Sequence, residues 1–313
     1  MAIFSVIIPL YNKESYIEAT LNSILNQTFD DFEIIIVDDG STDNSLNVVK
    51  SIKSSKITIF EQKNQGASVA RNFGVKQAKS KYIALIDADD IWYPNHLFEL
   101  KKQIDLFPNV GLYCNNYVVF HDENFCKKAT FNFRYNTECL VIEDYFKASL
   151  INSVAWTSAI GFSKEAFKTL GGFNTNYKTA QDLDLWIRFA LNYEVSFNPT
   201  VTMRYNFYVD NSLSKKEKDY NYIRYDFINS YNKEELSNPS LKKYLDINRY
   251  ALVLRCKMTN DKELYKKLQK EIDYSNLNVK QKLLIRFPKM LLKYIKKFQD
   301  FLKIRKIYLT AYS

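Results

Sequence analysis

Ile83-Ala84-Leu85-Ile86-Asp87-Ala88-Asp89-Asp90 decides the fold of this chain. Four apolar residues run directly into three carboxylates within four positions. The apolar run reads as a buried parallel strand. Open α/β sheets gather their ligands at the carboxyl ends of such strands. Like charges this close repel unless a cation or a hydrogen-bonding ligand is present. Hard carboxylate oxygens at a strand end suit Mg²⁺ or Mn²⁺, ions usually held together with a phosphate. A site for a metal–diphosphate complex is one reading. The other is a solvated acidic turn in which Asp89 or Asp90 caps the next helix.

Working outward, the segments before this strand alternate between two periods. Residues 3–9 are β-rich, and residues 14–26 place Ile17, Leu21, Ile24 and Leu25 at helical spacing. Residues 32–37 form a second strand ending in Asp38-Asp39-Gly40-Ser41, where Ser41 or Thr42 is expected to cap a helix running to about Lys53. A strand at 57–60, a helix at 66–78 and the strand at 82–87 complete the series. This alternation implies βαβ units, right-handed crossovers and a mainly parallel sheet. Acid pairs end two of its strands, Asp38-Asp39 and Asp87-x-Asp89, on the same rim. Pro9-Leu10-Tyr11-Asn12 stands where a Gly-rich phosphate loop would fall, which argues against a dinucleotide oxidoreductase and a sugar nucleotidyltransferase. Phosphate charge is then left to a metal and to isolated cations such as Arg71. The plainer role for Arg71 is a surface helix cation.

Composition bounds the function. The 313 residues allow one large domain with an appendage, or two domains, and 46% hydrophobic with 15% aromatic content supports a sizeable core. Met1 leads directly into strand-like residues, so no signal peptide is expected. No apolar run reaches the roughly 18 to 20 residues of a membrane-spanning helix. Four scattered cysteines without Cys-x-x-Cys read as reduced thiols, and two histidines make a His-based metal site or a Ser-His-Asp hydrolase hard to build. The net charge of +9 is local: residues 280–306 carry ten Lys or Arg against one Asp. A nucleic-acid-binding core spreads basic residues over a whole face, so no nucleic-acid partner is expected.

Four ordered motifs now stand together: Ser5-Val6-Ile7-Ile8-Pro9-Leu10-Tyr11-Asn12, Val37-Asp38-Asp39-Gly40-Ser41-Thr42-Asp43, Asn64-Gln65-Gly66 with Ala70-Arg71-Asn72, and Asp87-Ala88-Asp89-Asp90. Over roughly residues 3–214 the chain resembles family 2 glycosyltransferases of the GT-A fold, a Rossmann-like α/β architecture. The resemblance implies that Pro9, Tyr11 and Asp39 hold a nucleotide base, uracil being expected, with Asp38 and Gly66 in the same nucleotide-sugar set. Asp38 has a structural role as its alternative. Arg71 would lie near ribose or phosphate, Asp87 would approach the ribose, and Asp89 would coordinate Mn²⁺ or Mg²⁺. Asp90 is expected to cap the helix beginning near Pro94, and His96 on that helix needs no functional role.

Residues 110–120 read as a strand, in which Asn115-Asn116 is an ordinary polar end or a sugar contact. Residues 121–141 read as a polar, aromatic connection or a β-ribbon. Ser163 is expected to cap a helix that Gly171-Gly172 ends. In Thr179-Ala180-Gln181-Asp182-Leu183-Asp184-Leu185-Trp186-Ile187-Arg188, apolar spacing starts a helix near Asp182. Asp184 and Arg188 can pair on its outer face. Asp182 is left at the amino end, where the helix dipole stabilises a carboxylate by about 0.3 to 1 kcal/mol. From these residues alone it reads as a capping Asp or as an ionised general base. The stretch resembles the family's Glu-Asp-x-Asp-Leu-Trp segment, which implies that Asp182 deprotonates the acceptor hydroxyl. Gln181 replaces the usual Glu, and Tyr208 stands near a position where relatives often carry His.

The resemblance further implies an inverting transferase that moves one sugar from a nucleotide-sugar donor, a UDP-sugar, to a glycan or lipid-linked acceptor in cell-envelope polysaccharide synthesis. The processive Gln-x-x-Arg-Trp motif is absent. The rival reading is a non-catalytic nucleotide- or glycan-binding module, favoured by the Gln181 and Tyr208 departures. Two domains are expected, 1–214 and a helical region 215–313. In the latter, Leu291, Tyr294, Ile295, Phe298, Phe301 and Leu302 form one helix face and Lys289, Lys293, Lys296, Asp300 and Lys303 the other. Such a basic amphipathic helix suits an anionic membrane surface, or packing on protein, including a homodimer through these helices. The expected location is cytoplasmic, peripheral on the inner membrane face.

Overall fold

The computed structural model describes residues 2–122, 125–207, 209, 220–305 and 311–312. The chain divides into two compact units, the first made of Met1–Thr130, Arg134–Tyr145 and Ser153–Asp210. Its elements run β1 (Phe4–Leu10), α1 (Ile17–Leu25), β2 (Phe32–Asp38), α2 (Ser45–Ser51), β3 (Ile57–Glu61), α3 (Ala67–Gln77) and β4 (Tyr82–Leu85). They continue as β5 (Ile91–Trp92), α4 (His96–Leu106), β6 (Leu112–Asp122), β7 (Phe125–Lys128) and β8 (Leu140–Val141), after which α5 (Tyr145–Ala148) belongs, save Tyr145, to the second unit. The last are β9 (Ile160–Ser163), α6 (Lys164–Thr169), α7 (Gln181–Asn192) and β10 (Val195–Asn206).

The sheet has the order β3-β2-β1-β4-β9-β6-β10-β5. The strands β3, β2, β1 and β4 are parallel, as their continuous apolar runs imply. Val6, Ile7, Ile8, Ile34, Ile36, Val37 and Ile83 to Ile86 are buried on both faces. Beyond β4 the sheet is mixed, because β9 lies antiparallel between β4 and β6. Ser158, just before β9, accepts the Asp87 N–H at the carboxyl tip of β4, and β9 starts at that rim and runs back along β4. The ribbon foreseen after residue 120 is the β6–β7 pair. Asn115 and Asn116 sit buried inside β6 and bond to Gln103, the His96 carbonyl and the Pro199 carbonyl, which fits the ordinary polar reading.

Register brings three tips to one rim. Ile7 pairs with both Ile35 and Leu85, and Leu10 pairs with Asp38. Helix α3 packs on β1 and β2 through Gly74, where an added Cβ would stand 2.5 Å from Ile7 Cγ2. Ser163 caps α6 by accepting the Ala166 N–H, as expected. Gly171 and Gly172, both with positive φ, end it by donating to the Lys168 and Phe167 carbonyls. Two other capping expectations fail. Ser41 and Thr42 do not cap α2, which starts at Ser45. Their side chains instead bond Asn12. Asp90 does not cap α4, which follows Asn95, and its side chain is fully buried.

The second unit comprises Phe131–Phe133, Phe146–Asn152 and Asn211–Ser313. Its described carboxyl-terminal elements are all helical: α8 (Asn221–Asn229), α9 (Glu234–Ser237), α10 (Pro239–Thr259), α11 (Lys262–Glu271), α12 (Val279–Arg286) and α13 (Lys289–Ile304), with a 3-10 turn at Tyr274–Asn276. Starts are well marked. Asn238 caps α10 with Pro239 in its first turn, Asp261 caps α11, and Asn278 with Gln281 forms a capping box on α12. Leu241, Leu245, Leu252, Val253, Leu264 and Leu268 make the core, beside a buried Arg249 paired with Glu235 and Asp246. No helix among the described residues is long and apolar enough to cross a membrane. The expected boundary at 214/215, and Tyr208, lie outside the described residues.

Candidate active site

The site grows from the turn after β1. Pro9 is the next-to-last residue of that strand, and Tyr11 beyond it is exposed. Asn12 adopts a left-handed φ of 50°, a conformation Asn tolerates, and this lets its amide face the 41–42 turn. Its Oδ1 accepts the Thr42 N–H at 2.8 Å, and its own N–H donates to Ser41 Oγ at 3.1 Å. The Lys13 N–H donates to Ser45 Oγ at 2.7 Å. The tips of β1 and β2 are thereby knitted into one surface.

Asp38 and Asp39 differ sharply in what they hold. Asp39 is buried, and its Oδ1 accepts from Gln62 Nε2 at 2.7 Å and the Gln65 N–H at 2.8 Å. Its Oδ2 accepts the Gly66 N–H at 2.8 Å. It thus moulds the 62–66 loop, whose Gly66 has φ of 93° and starts α3. Asp38 Oδ2 accepts the Ser41 N–H, while its Oδ1 is a buried acceptor with no partner among the described residues.

At the tip of β4 the solvated acidic turn is overturned. Asp87 Oδ1 accepts from Arg71 Nη2 at 2.5 Å. Arg71 is no surface cation: it is buried, with Nε and Nη1 lacking any partner among the described residues, and its guanidinium lies 5.3 Å from the Phe173 ring. Asp89 Oδ2 pairs with Lys13 Nζ at 2.7 Å. Burial raises the Asp89 carboxyl above its ordinary value, Lys13 opposes that shift, and Asp87 adds to it. Asp90 faces inward, accepting from Ser158 Oγ at 2.6 Å and the Asn206 N–H at 3.1 Å. Burial, then Asp89 and Asp87, push its carboxyl well above the usual range. A cavity of about 250 Å³ opens beside Asp89, with Tyr16, Phe120, Arg204 and Phe207 among its walls.

Asp182 sits in the first turn of α7, partly exposed, its Oδ1 accepting the Leu183 N–H at 2.9 Å. It does not cap the helix: the preceding flank is Ala180, in the left-handed region at φ 63°. Asp184 and Arg188 pair as expected, yet not on an outer face. Asp184 is buried, and Arg188 also donates to the Leu170 and Gly172 carbonyls. That bonding ties α7 to the loop bearing Phe173. Asn72 grips the Phe173 backbone from α3 by both N–H and C=O, and the Phe173 ring meets Trp186 at 6.1 Å. One aromatic ring therefore bridges Arg71 on α3 and Trp186 on α7. Gln181 is buried, with Oε1 lacking a partner among the described residues.

The donor set decides what cation chemistry fits. No cluster of three or more metal-ligating side chains occurs among the described residues. Asp89, paired with Lys13 and bonded to its own backbone, matches the mode in which Mg²⁺ or Mn²⁺ takes one or two carboxylates and completes its shell with substrate phosphates and water. It does not match an all-protein cage. Sequence reasoning missed Lys13, Ser158 and Asn206. Each meets its acid across a long stretch of chain, and only Lys13, beside Tyr11-Asn12, lay next to a motif.

This rim sets acids at adjacent parallel strand tips beside a buried arginine in an α/β transferase fold, and the chain belongs to glycosyl transferase family 2, whose model matches residues 5–171. It is 28% identical over 238 residues to an uncharacterized glycosyltransferase of Rickettsia typhi, covering 74% of this chain and 73% of that one. A second relative, from Rickettsia felis, is 26% identical over 259 residues, of which this chain spans 42%. Among solved structures, Staphylococcus aureus TarS 1-349 in complex with UDP-GlcNAc superposes with a TM-score of 0.64 at 19% identity, covering 88% of this chain and 82% of that one. That likeness establishes the GT-A fold.

Proposed function

We propose that the chain is an inverting transferase that moves a single sugar from a UDP-sugar to a hydroxyl of a glycan or lipid-linked acceptor in cell-envelope polysaccharide synthesis. The observation that carries this reading is Arg71: a buried guanidinium with one nitrogen on Asp87 and two unmatched, at the rim where the family binds its donor. Asp87 matches its charge, but the two buried N–H donors left over call for an acceptor, which a diphosphate oxygen supplies. The UDP-GlcNAc held by the TarS neighbour supports a UDP-sugar as the source of that oxygen.

Pro9, Tyr11, Asp38, Asp39 and Gly66 frame the base, with the open Asp38 Oδ1 as an acceptor for a base N–H. Arg71 binds the diphosphate side, and Asp87, clamped by Arg71, faces the ribose. A divalent cation held at Asp89, Mn²⁺ or Mg²⁺, supplies neutralisation of the leaving diphosphate when bound. Asp182 accepts the proton of the acceptor hydroxyl as its oxygen bonds the anomeric carbon from the face opposite the nucleotide. The bond from that carbon to the diphosphate oxygen breaks, and its electron pair leaves with the nucleoside diphosphate. Base assistance of this kind contributes roughly 10² to 10⁴ in rate. The test is a nucleotide-sugar panel scored by released nucleoside diphosphate, with Asp182→Asn alongside. Turnover by the parent, and binding without turnover by Asp182→Asn, is expected. Donor binding without turnover by either would establish the non-catalytic module instead.

A further inference from the structure

We propose that one face of α13 lies in the interfacial layer of an anionic lipid bilayer. Leu291, Tyr294, Phe298 and Phe301 follow each other at three- and four-residue intervals, and Met290 borders them. At about 100° per residue these five side chains share one side of the helix. All are exposed, from 39% for Leu291 to 70% for Met290. The adjoining seam is the one that packs: Leu292 is buried, and Ile295, which the sequence grouped with Leu291, and Gln299 are half-buried. A helix that satisfies its fold with one side and turns a second apolar side to water marks an interaction surface.

Charge selects the occupant. Lys293 and Lys297, both exposed, border the aromatic side, with Lys289 and Lys296 further round. α12 adds Lys280, Lys282 and Arg286. A second copy of this chain would set one segment of ten basic residues and one acid against another, at a repulsive cost. A bilayer carrying anionic headgroups offers the complement to both features: acyl chains for the aromatic and aliphatic side chains, negative charge for the lysines. Sixteen residues of α13, about 24 Å, lie in the plane and do not cross it. This placement rests on α13 alone and not on the transferase reading.

The experiment floats the purified full chain with vesicles of phosphatidylcholine alone or mixed with phosphatidylglycerol. The chain is expected to float with the anionic vesicles only. Lys293→Gln with Lys297→Gln should weaken that binding roughly thirtyfold, at about 1 kcal/mol per lysine. Phe298→Ser with Phe301→Ser should abolish it at any salt. Circular dichroism and donor turnover should be unchanged in both variants, since these side chains face solvent. Turnover is read without vesicles, so its absence would strike the transferase reading and leave this one standing. Failure to float, equal flotation with both vesicle types, or light scattering that finds a dimer dissolved by Phe298→Ser would overturn the proposal.

Discussion

Lys13 holds Asp89 at 2.7 Å, at the position where a divalent cation would be ligated. With that ammonium removed, Asp89 has no resident counter-charge. Lys13→Met should therefore make donor binding strongly dependent on added Mg²⁺ or Mn²⁺, while the parent retains part of its affinity without them. Titration calorimetry of UDP with and without metal checks this, and equal metal dependence in both would refute it. Arg71 supplies a companion test. Arg71→Lys keeps the charge but loses the planar fork that spans Asp87 and the unmatched side. UDP affinity should fall at least about tenfold, with Asp39 and its loop intact. At this scale the sequence was half transparent. Runs of acid after apolar residues are local and announce themselves. Which basic side chain folds over them is set by tertiary approach, so Lys13 was silent and Arg71 could be read either way.

The elements that carry these residues are positioned by small steric facts. Gly74 lets α3 lie flush on β1, and a Cβ there meets Ile7 at 2.5 Å. Gly74→Val should destabilise by about 2 to 3 kcal/mol through overpacking, seen as a lower denaturation midpoint, and should weaken donor binding because α3 bears Arg71. Ala180 bears a left-handed φ of 63° before α7. Ala180→Gly should relieve about 1 to 2 kcal/mol of backbone strain against about 0.5 to 1 kcal/mol of added chain entropy, a net gain of about 0.5 kcal/mol by thermal melting. Helix α7 itself was legible because its apolar period is long and regular. The orientation of its Asp184–Arg188 pair was not. Spacing shows that two residues can meet, while the Leu170 and Gly172 carbonyls that draw the pair inward come from another part of the chain.

Across the whole molecule, the parallel half of the sheet could be read in order from hydrophobic runs and turn residues. The reversal at β9 could not, since the Asp87–Ser158 bond at its start joins residues far apart in the chain. The shared core of α4, β5 and β10 adds a pH signature. His96 is fully buried, stacked on Trp92 at 4.1 Å and bonded to Thr202 Oγ1 at 2.8 Å. Burial pushes its imidazole down to about 3. Its folded value lies below the unfolded value near 6.5, so between these pH values the unfolded chain binds the extra proton. Stability from this group is complete above about pH 6.5 and is lost as pH falls toward 3, at roughly 1.4 kcal/mol per pH unit. His96→Gln should flatten the slope of unfolding free energy in that window, whatever its effect on absolute stability.

The two outward acids of the donor rim are each matched by a basic side chain of the same protein, Asp87 by Arg71 and Asp89 by Lys13. These two acids thus keep a counter-charge of the protein's own, while Asp38 and Asp39 are held by neutral hydrogen-bond donors. A departing product can hand its partners back to those side chains and leave no bare carboxylate behind. In the transferase proposed above, that exchange would lower the barrier to the last step, the escape of the spent nucleotide.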